Sequence, residues 1–350
     1  MAINPEMLRL GRVGRGMKQT ELASALGTTQ GRIAKWEDGF LKPADSDVER
    51  LVSVLRFPRS FLEHDTGTEA FGTCCMYHRK RQSLPAGFLN KIHARVNIIG
   101  LAIVRLLRNV SMDSTLAFPS LDIDEFGSPA RVATLLRRHW KIPPGPIKNL
   151  IQYVEAAGGI VTQLDFGTDK LDAVSLWPRE ARPLFFVNSA SPTDRWRFTL
   201  SHEIAHLVMH SIPTPDAERE ADDFASELLM PVDDIRQELG QMSLVKAARL
   251  KLRWRVSMQA IIRKAHDTGA ISPRKYRSLF TALSAAGYRK REPGDVGTES
   301  PQTLLRLIET HRKQLGYSES QLHDLLFCVD AEQFAHRFQG RAAPLRIVTR

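Results

Sequence analysis

The stretch that most limits how this 350-residue chain can fold is Phe198-Thr199-Leu200-Ser201-His202-Glu203-Ile204-Ala205-His206-Leu207-Val208-Met209-His210. Four residues are slightly more than one helical turn, so on a helix His202 and His206 project from one face, where two imidazoles can grip a single metal ion. Glu203 lies beside them. In such an H-E-x-x-H arrangement zinc lowers the pKa of a water to about 7 and the glutamate takes the proton as a carbonyl is attacked, which points to peptide hydrolysis. A bare match of this length arises by chance in roughly one chain in fifty with 11 histidines and this glutamate content, so its surroundings must decide. Ser191-Pro192-Thr193-Asp194 predicts a helix start, with Ser191 as N-cap and Pro192 at the first helical position. Just upstream, Leu184-Phe185-Phe186-Val187 predicts a short buried strand. A strand feeding a capped, mostly apolar helix can shield a metal as a surface helix cannot.

Catalytic zinc sites generally use three protein ligands and leave the fourth position open, so two histidines are one short. Glu220 is the leading candidate. It opens Glu220-Ala221-Asp222-Asp223-Phe224-Ala225-Ser226-Glu227-Leu228-Leu229-Met230-Pro231, whose apolar positions 221, 224, 225 and 228 predict a second buried helix stopped before Pro231. Glu218, Asp222 and Asp223 compete for the role, and spacing excludes none of them. His210 is a weaker rival, because the longer H-E-x-x-H-x-x-G-x-x-H spacing and its glycine are missing. For stabilising a tetrahedral oxyanion the candidates are Arg197 and His210.

The run from Phe186-Val187-Asn188 through Arg197 to His206 and on through Glu220 to Pro231 closely resembles the ImmA/IrrE-type zinc metallopeptidases, over roughly residues 128 to 240. Both helical blocks occur in the right order, which makes the likeness far more specific than the five-residue motif. The resemblance implies a zincin-like fold, zinc as cofactor, His202, His206 and Glu220 as metal ligands and Glu203 as general base. It also implies a repressor protein as substrate, since such peptidases are associated with cutting repressors and releasing genes for stress or mobile-element responses.

Nearer the N-terminus, Met7, Leu8, Leu10 and Val13 predict a first helix ended by Gly14 and Gly16. Gln19 to Leu26 predicts a second, Gly27 turns the chain, and Thr29 caps a third that runs to about Trp36. Two short helices joined by a tight glycine-containing turn make a helix-turn-helix, with Leu22, Ala23, Leu26, Ile33 and Trp36 as its core. The third helix presents Gln30, Gly31, Arg32 and Lys35 near the end where recognition helices meet base edges. Gln30 suits adenine and Arg32 guanine, while Lys35 suits phosphate; Gln19 and Thr29 complete the DNA-facing set. Met17 to Gly27, followed by Ile33-Ala34-Lys35-Trp36-Glu37-Asp38-Gly39 and Pro43, looks like the Xre/Cro-type helix-turn-helix family. Lys18 departs from it, standing where a capping Ser or Thr is usual.

Charge is unevenly placed. The chain carries a net +10, yet residues 241–292 alone hold 13 Lys or Arg against 2 acids, so the rest sums to about −1. That segment predicts three short helices, capped by Ser243, Ser257 and Ser272, and reads as a second nucleic-acid-binding unit, a scaffold packed against the peptidase with solvated arginines, or a docking site for an acidic protein. His78-Arg79-Lys80-Arg81 is a smaller basic cluster. Cys74, Cys75 and Cys328 form no C-x-x-C pair and no disulfide framework, which fits a reducing cytoplasm. No window approaches the roughly 20 apolar residues needed to cross a bilayer, and no signal-peptide core opens the sequence.

The expected fold is mainly α with a small α+β core. An N-terminal helix-turn-helix bundle (1–63) leads through a helical connector (64–127) to the metallopeptidase domain with its small sheet (128–240). The basic helical segment (241–292) and a linker, helical region and loose tail (293–350) follow. The connector's Pro85 to Asn109 reads as one long amphipathic helix, able to pair with its copy in a homodimer or to fold back onto the peptidase domain. Strands are expected at 160–164, 171–177 and 184–188, and an edge strand beside the metal can hold substrate by strand addition. The functional expectation is a cytoplasmic regulator that binds double-stranded DNA and cuts a repressor protein, or itself, with zinc. The alternative is a transcription factor whose peptidase-like domain only senses metal or ligand, or mediates protein contacts.

Overall fold

Alternation of side chains along a strand sends neighbours to opposite faces of a sheet, and here the two faces belong to two different cores. The computed structural model describes residues 3–65, 76–77, 84–108, 110–177, 182–210, 215–289 and 291–339. Val161, Ala173, Phe185 and Val187 pack into one apolar cluster, while Ile160, Val174, Leu176, Leu184 and Phe186 pack into the other.

Five helices open the chain: α1 (Pro5–Gly14), α2 (Gln19–Leu26), α3 (Gln30–Glu37), α4 (Asp45–Leu55) and α5 (Arg59–Leu62). Gly27, at φ 62°, ends α2 in the left-handed conformation that lets the chain turn into α3. Lys18 supplies no side-chain cap to α2. Its backbone N–H instead donates to Glu21 Oε2 at 2.7 Å, which satisfies one of the exposed donors at the helix start. The buried apolar residues of the pair are Leu22, Ala23, Leu26, Ile33 and Trp36, as the spacing predicts.

After a two-residue strand, β1 (Met76–Tyr77), comes the long helix α6 (Ala86–Leu107). Its apolar residues are covered within the chain: α6 packs on α1, and Ile92, Val96, Ile99, Ile103 and Leu106 share a cluster with the helix-turn-helix core and the back of the sheet. The stripe that sequence offers for pairing two copies is therefore used internally. His78 to Arg81, Cys74, Cys75 and the tail from Arg341 lie outside the described residues. Cys328 is a buried free thiol.

The central region runs α7 (Ile123–Phe126), α8 (Pro129–His139), α9 (Leu150–Ala156), β2 (Ile160–Leu164), β3 (Ala173–Leu176), β4 (Leu184–Asn188), α10 (Thr193–Met209) and α11 (Ala217–Leu229). Sheet order is β1-β3-β4-β2; β2 and β4 are parallel, while β3 runs antiparallel to both β4 and β1. Helix α10 lies on one face against β3 and β4, α11 packs along it, and α8 lies on α11. Ser191 does not cap α10. Its hydroxyl donates to Asp172 Oδ1 at 2.6 Å, and the helix begins after Pro192.

Helices α12 (Val232–Leu239), α13 (Leu244–Trp254), α14 (Met258–Asp267) and α15 (Pro273–Ala285) continue the same core as α10 and α11. Ser243, Ser257 and Ser272 each accept a backbone N–H at a helix start, as expected. Two lysines of the basic segment are buried in ion pairs: Lys251 with Asp194 (2.6 Å) and Glu292 (3.0 Å), and Lys264 with Glu227 (2.6 Å). They bind the segment to its neighbours and are withdrawn from any phosphate. Helices α16 (Thr303–Lys313), α17 (Glu319–Leu325) and α18 (Ala331–Phe334) and a π-helical turn (Ala335–Gln339) close against α6 and the N-terminal bundle, where Phe61 and Phe327 meet edge to face at 5.1 Å. Among the described residues no helix is long and apolar enough to cross a membrane.

Candidate functional site

A helix places residues four apart on one face, and α10 does this three times over with His202, His206 and His210. The Nε2 atoms of His202 and His206 stand 3.1 Å apart. Across from them, on α11, the Glu218 carboxylate lies 3.4 Å from His202 Nε2 and 3.5 Å from His206 Nε2. Tetrahedral zinc with bonds of about 2.0–2.1 Å separates its ligands by about 3.3 Å, so this donor set fits such an ion. Among the described residues these three form the one cluster of metal-type donors, all within 4.8 Å of one another.

Glu220, expected as the third ligand, points elsewhere. Its Oε2 contacts His210 Nε2 at 3.2 Å, and His210 Nδ1 in turn meets His206 Nδ1 at 3.0 Å. The reason lies in helix geometry at 100° per residue. Relative to the buried stripe of Ala221, Phe224, Ala225 and Leu228, Glu218 and Asp222 fall on one flank of α11 and Glu220 on the other. Asp222 completes its flank by holding His202 Nδ1 at 2.9 Å, which turns Nε2 toward the centre. Asp223 is exposed and meets Arg219 instead.

Glu203 is wholly buried. Its Oε2 accepts a hydrogen bond from Ser175 Oγ on β3 at 2.5 Å, while Oε1 has no partner among the described residues. Burial pushes this carboxyl up to about 8, against the opposing pull of His202 and the Ser175 hydroxyl. For His202, burial alone lowers the imidazolium, but the carboxylates of Asp222, Glu218 and Glu203 together outweigh it and raise the group to about 9. His206 is lowered by burial, which keeps its lone pair available. Hydrogen bonds to both histidines hold Glu218 well below the usual carboxylate range. The site thus concentrates negative charge around two imidazoles, an environment that draws a cation.

Arg197 does not face this centre. It is fully buried, forms an ion pair with Glu299 and donates to Ile147 O at 2.8 Å. Glu299 also accepts the N–H groups of Leu150 (2.7 Å) and Ile151 (3.0 Å) at the start of α9, so Arg197 clamps the C-terminal region to the core. Sequence reasoning missed Ser175, for which no signal exists, and the orienting role of Asp222, which its i, i+4 spacing from Glu218 could have shown. Beside the cluster opens a cleft of about 1680 Å³ whose walls include Phe198, Glu218, Asp222, Tyr276, Phe280 and Arg289.

In the N-terminal bundle, Thr29, Gln30, Gly31, Arg32 and Lys35 are all exposed along α3. Gln30 donates to Gln19 Oε1 at 2.7 Å and Gln19 donates to Glu37 Oε2 at 2.8 Å, fixing both glutamines at the α2–α3 corner. Arg32 pairs with Asp47 at 2.9 Å, its guanidinium 5.2 Å from the Trp36 ring. Glu37 itself is buried and grips Arg12 of α1 through two contacts of 2.5 and 2.8 Å, a tie that joins three helices.

A family model for the IrrE N-terminal-like domain matches residues 154–266, and a helix-turn-helix model matches residues 6–64. No curated protein matches the chain. The first match takes in β2 to β4, α10 and α11 with every residue of the metal-type cluster, and runs on through α13 and most of α14. The second takes in α1 to α5. The chain accordingly joins an N-terminal helix-turn-helix domain to a central domain of the ImmA/IrrE type.

Proposed function

We propose that the chain is a DNA-binding regulator whose central domain is a zinc endopeptidase acting on a repressor protein. The observation that carries this reading is the spacing of the His202, His206 and Glu218 donors, which suits one tetrahedral ion, next to a buried glutamate with a free oxygen. Zinc held there would supply Lewis acidity toward water and the scissile carbonyl. The chain's own residues do the rest. Asp222 fixes the tautomer of His202, Glu220 acts through His210 to orient His206, and Ser175 steadies one Glu203 oxygen while the other is open to take a proton. Glu218 is the third ligand in this reading, and Glu220 supports from behind.

Zinc titration against a competing chelator tests it. Wild type should bind one zinc per chain, and His206→Ala and Glu218→Ala should each lose more than about 100-fold in affinity. Glu220→Ala should lose about 10- to 100-fold, the usual cost of a supporting partner. A wild-type chain that takes up no zinc would end the proposal. Zinc-loaded chain should also cut a repressor encoded near its own gene, and chelation should stop the cutting.

For the helix-turn-helix unit the reading assigns double-stranded DNA, met by Gln19, Thr29, Gln30, Arg32 and Lys35 and, as palindromic operators require, bound by a homodimer. Arg32→Ala should relax preference at one base pair by about 1–3 kcal/mol, whereas Lys35→Ala should weaken all sequences alike and flatten the salt dependence. Binding curves over a set of operator variants at several salt concentrations check both. Unchanged binding in both variants would move recognition away from α3.

A further inference from the structure

Strand β3 lies beside α10, and its Ser175 holds the Glu203 carboxylate at 2.5 Å. One edge of β3 pairs with β4. The other edge is the place where an extended peptide adds by backbone hydrogen bonds, and it is filled by β1 of the same chain, antiparallel, with Tyr77 opposite Ser175 and Met76 opposite Leu176. Paired strands run about 4.8 Å apart, so the β1 backbone lies one strand spacing from the residue that steadies the general base. In sequence, β1 falls between the DNA-binding helices and the central domain.

We propose that β1 is the peptidase's own substrate strand, and that the chain hydrolyses a peptide bond at or beside Met76–Tyr77 in cis; this rests on the peptidase reading above. Water oxygen bonds to the carbonyl carbon and gives a proton to Glu203. The C–N bond then breaks, the leaving nitrogen takes that proton, and the second proton of the water passes from the new carboxyl group to the amine, so one water is consumed, a carboxylate ends the N-terminal piece and an ammonium begins the C-terminal piece. The cut removes the covalent tether of α1 to α5 but not their packing: α1 still rests on α6, and Phe61 still meets Phe327. The two pieces stay together under native conditions and part only when denatured.

The test is the full chain with zinc alone, followed by denaturing gel and mass spectrometry. The expected result is two fragments with new ends at or beside Met76–Tyr77, formed at a rate unchanged by tenfold dilution, and none from Glu203→Gln. Replacing both Met76 and Tyr77 by proline removes the two N–H groups of β1 and should slow the cut at least about tenfold. The same variant should keep its zinc, and its rate on denatured casein should hold or rise, because the edge of β3 is then open to an added peptide. A chain that cuts casein but never itself overturns this inference and leaves the peptidase reading in place. Cutting that depends on concentration, or that survives the double proline, also overturns it. A zinc-loaded chain that cuts neither itself nor casein sinks both.

Discussion

Glu203→Gln should retain its fold and its zinc and hydrolyse peptide about 10²- to 10⁴-fold more slowly, the contribution usual for a positioned general base. Glutamine has the shape of glutamate, and its carbonyl oxygen can still accept from Ser175 Oγ, so packing around this fully buried position is kept. What it cannot do is take a proton at the oxygen that has no partner among the described residues. The readouts are zinc content, thermal midpoint and kcat on a fluorogenic peptide. Equal rates for variant and wild type would remove Glu203 from the chemistry.

Glu37→Ala should cost about 3–5 kcal/mol of stability, because it strands the Arg12 guanidinium in the interior. Glu37 is 3% exposed and Arg12 9%, and their two contacts of 2.5 and 2.8 Å are the short paired geometry of a guanidinium on a carboxylate. Gln19 also loses its acceptor, so the corner of α2 and α3 loosens and operator affinity should fall with stability. Urea unfolding measures the first effect and DNA titration the second. Replacing Arg12 and Glu37 together by apolar residues of similar volume should recover most of the stability, since removing both charges leaves neither unpaired. If the single and double changes cost the same, the pair is not what holds these helices.

Strands β2 and β4 were legible to the residue because short apolar runs stand between clear breaks: Gly158-Gly159 before one, Ser189-Ala190-Ser191 after the other. Helix α2 was equally plain, bounded by Gly16 and Gly27. The rotation of α11 was not. Its apolar stripe says which face is buried but not which flank meets His202 and His206, so Glu218 and Glu220 look alike until the helix is docked. Strand β1 was illegible for a different reason: two residues carry no periodicity, and their pairing is set wholly by a partner a hundred positions away. Arg197 misled because a charged residue five positions before His202 invites a catalytic role, whereas its pairing with Glu299 depends on a distant loop. Lys251 and Lys264 likewise look solvent-bound until their acidic partners are in place.

The sheet is a party wall between two tenants. Ala173 and Ser175 look toward α10, while Val174 and Leu176, the alternate positions of the same strand, look toward the cluster shared with α6 and the helix-turn-helix core. Close-packed interiors pass displacement on instead of absorbing it. A displacement along β3 therefore reaches both clusters at once, across a partition a single sheet thick.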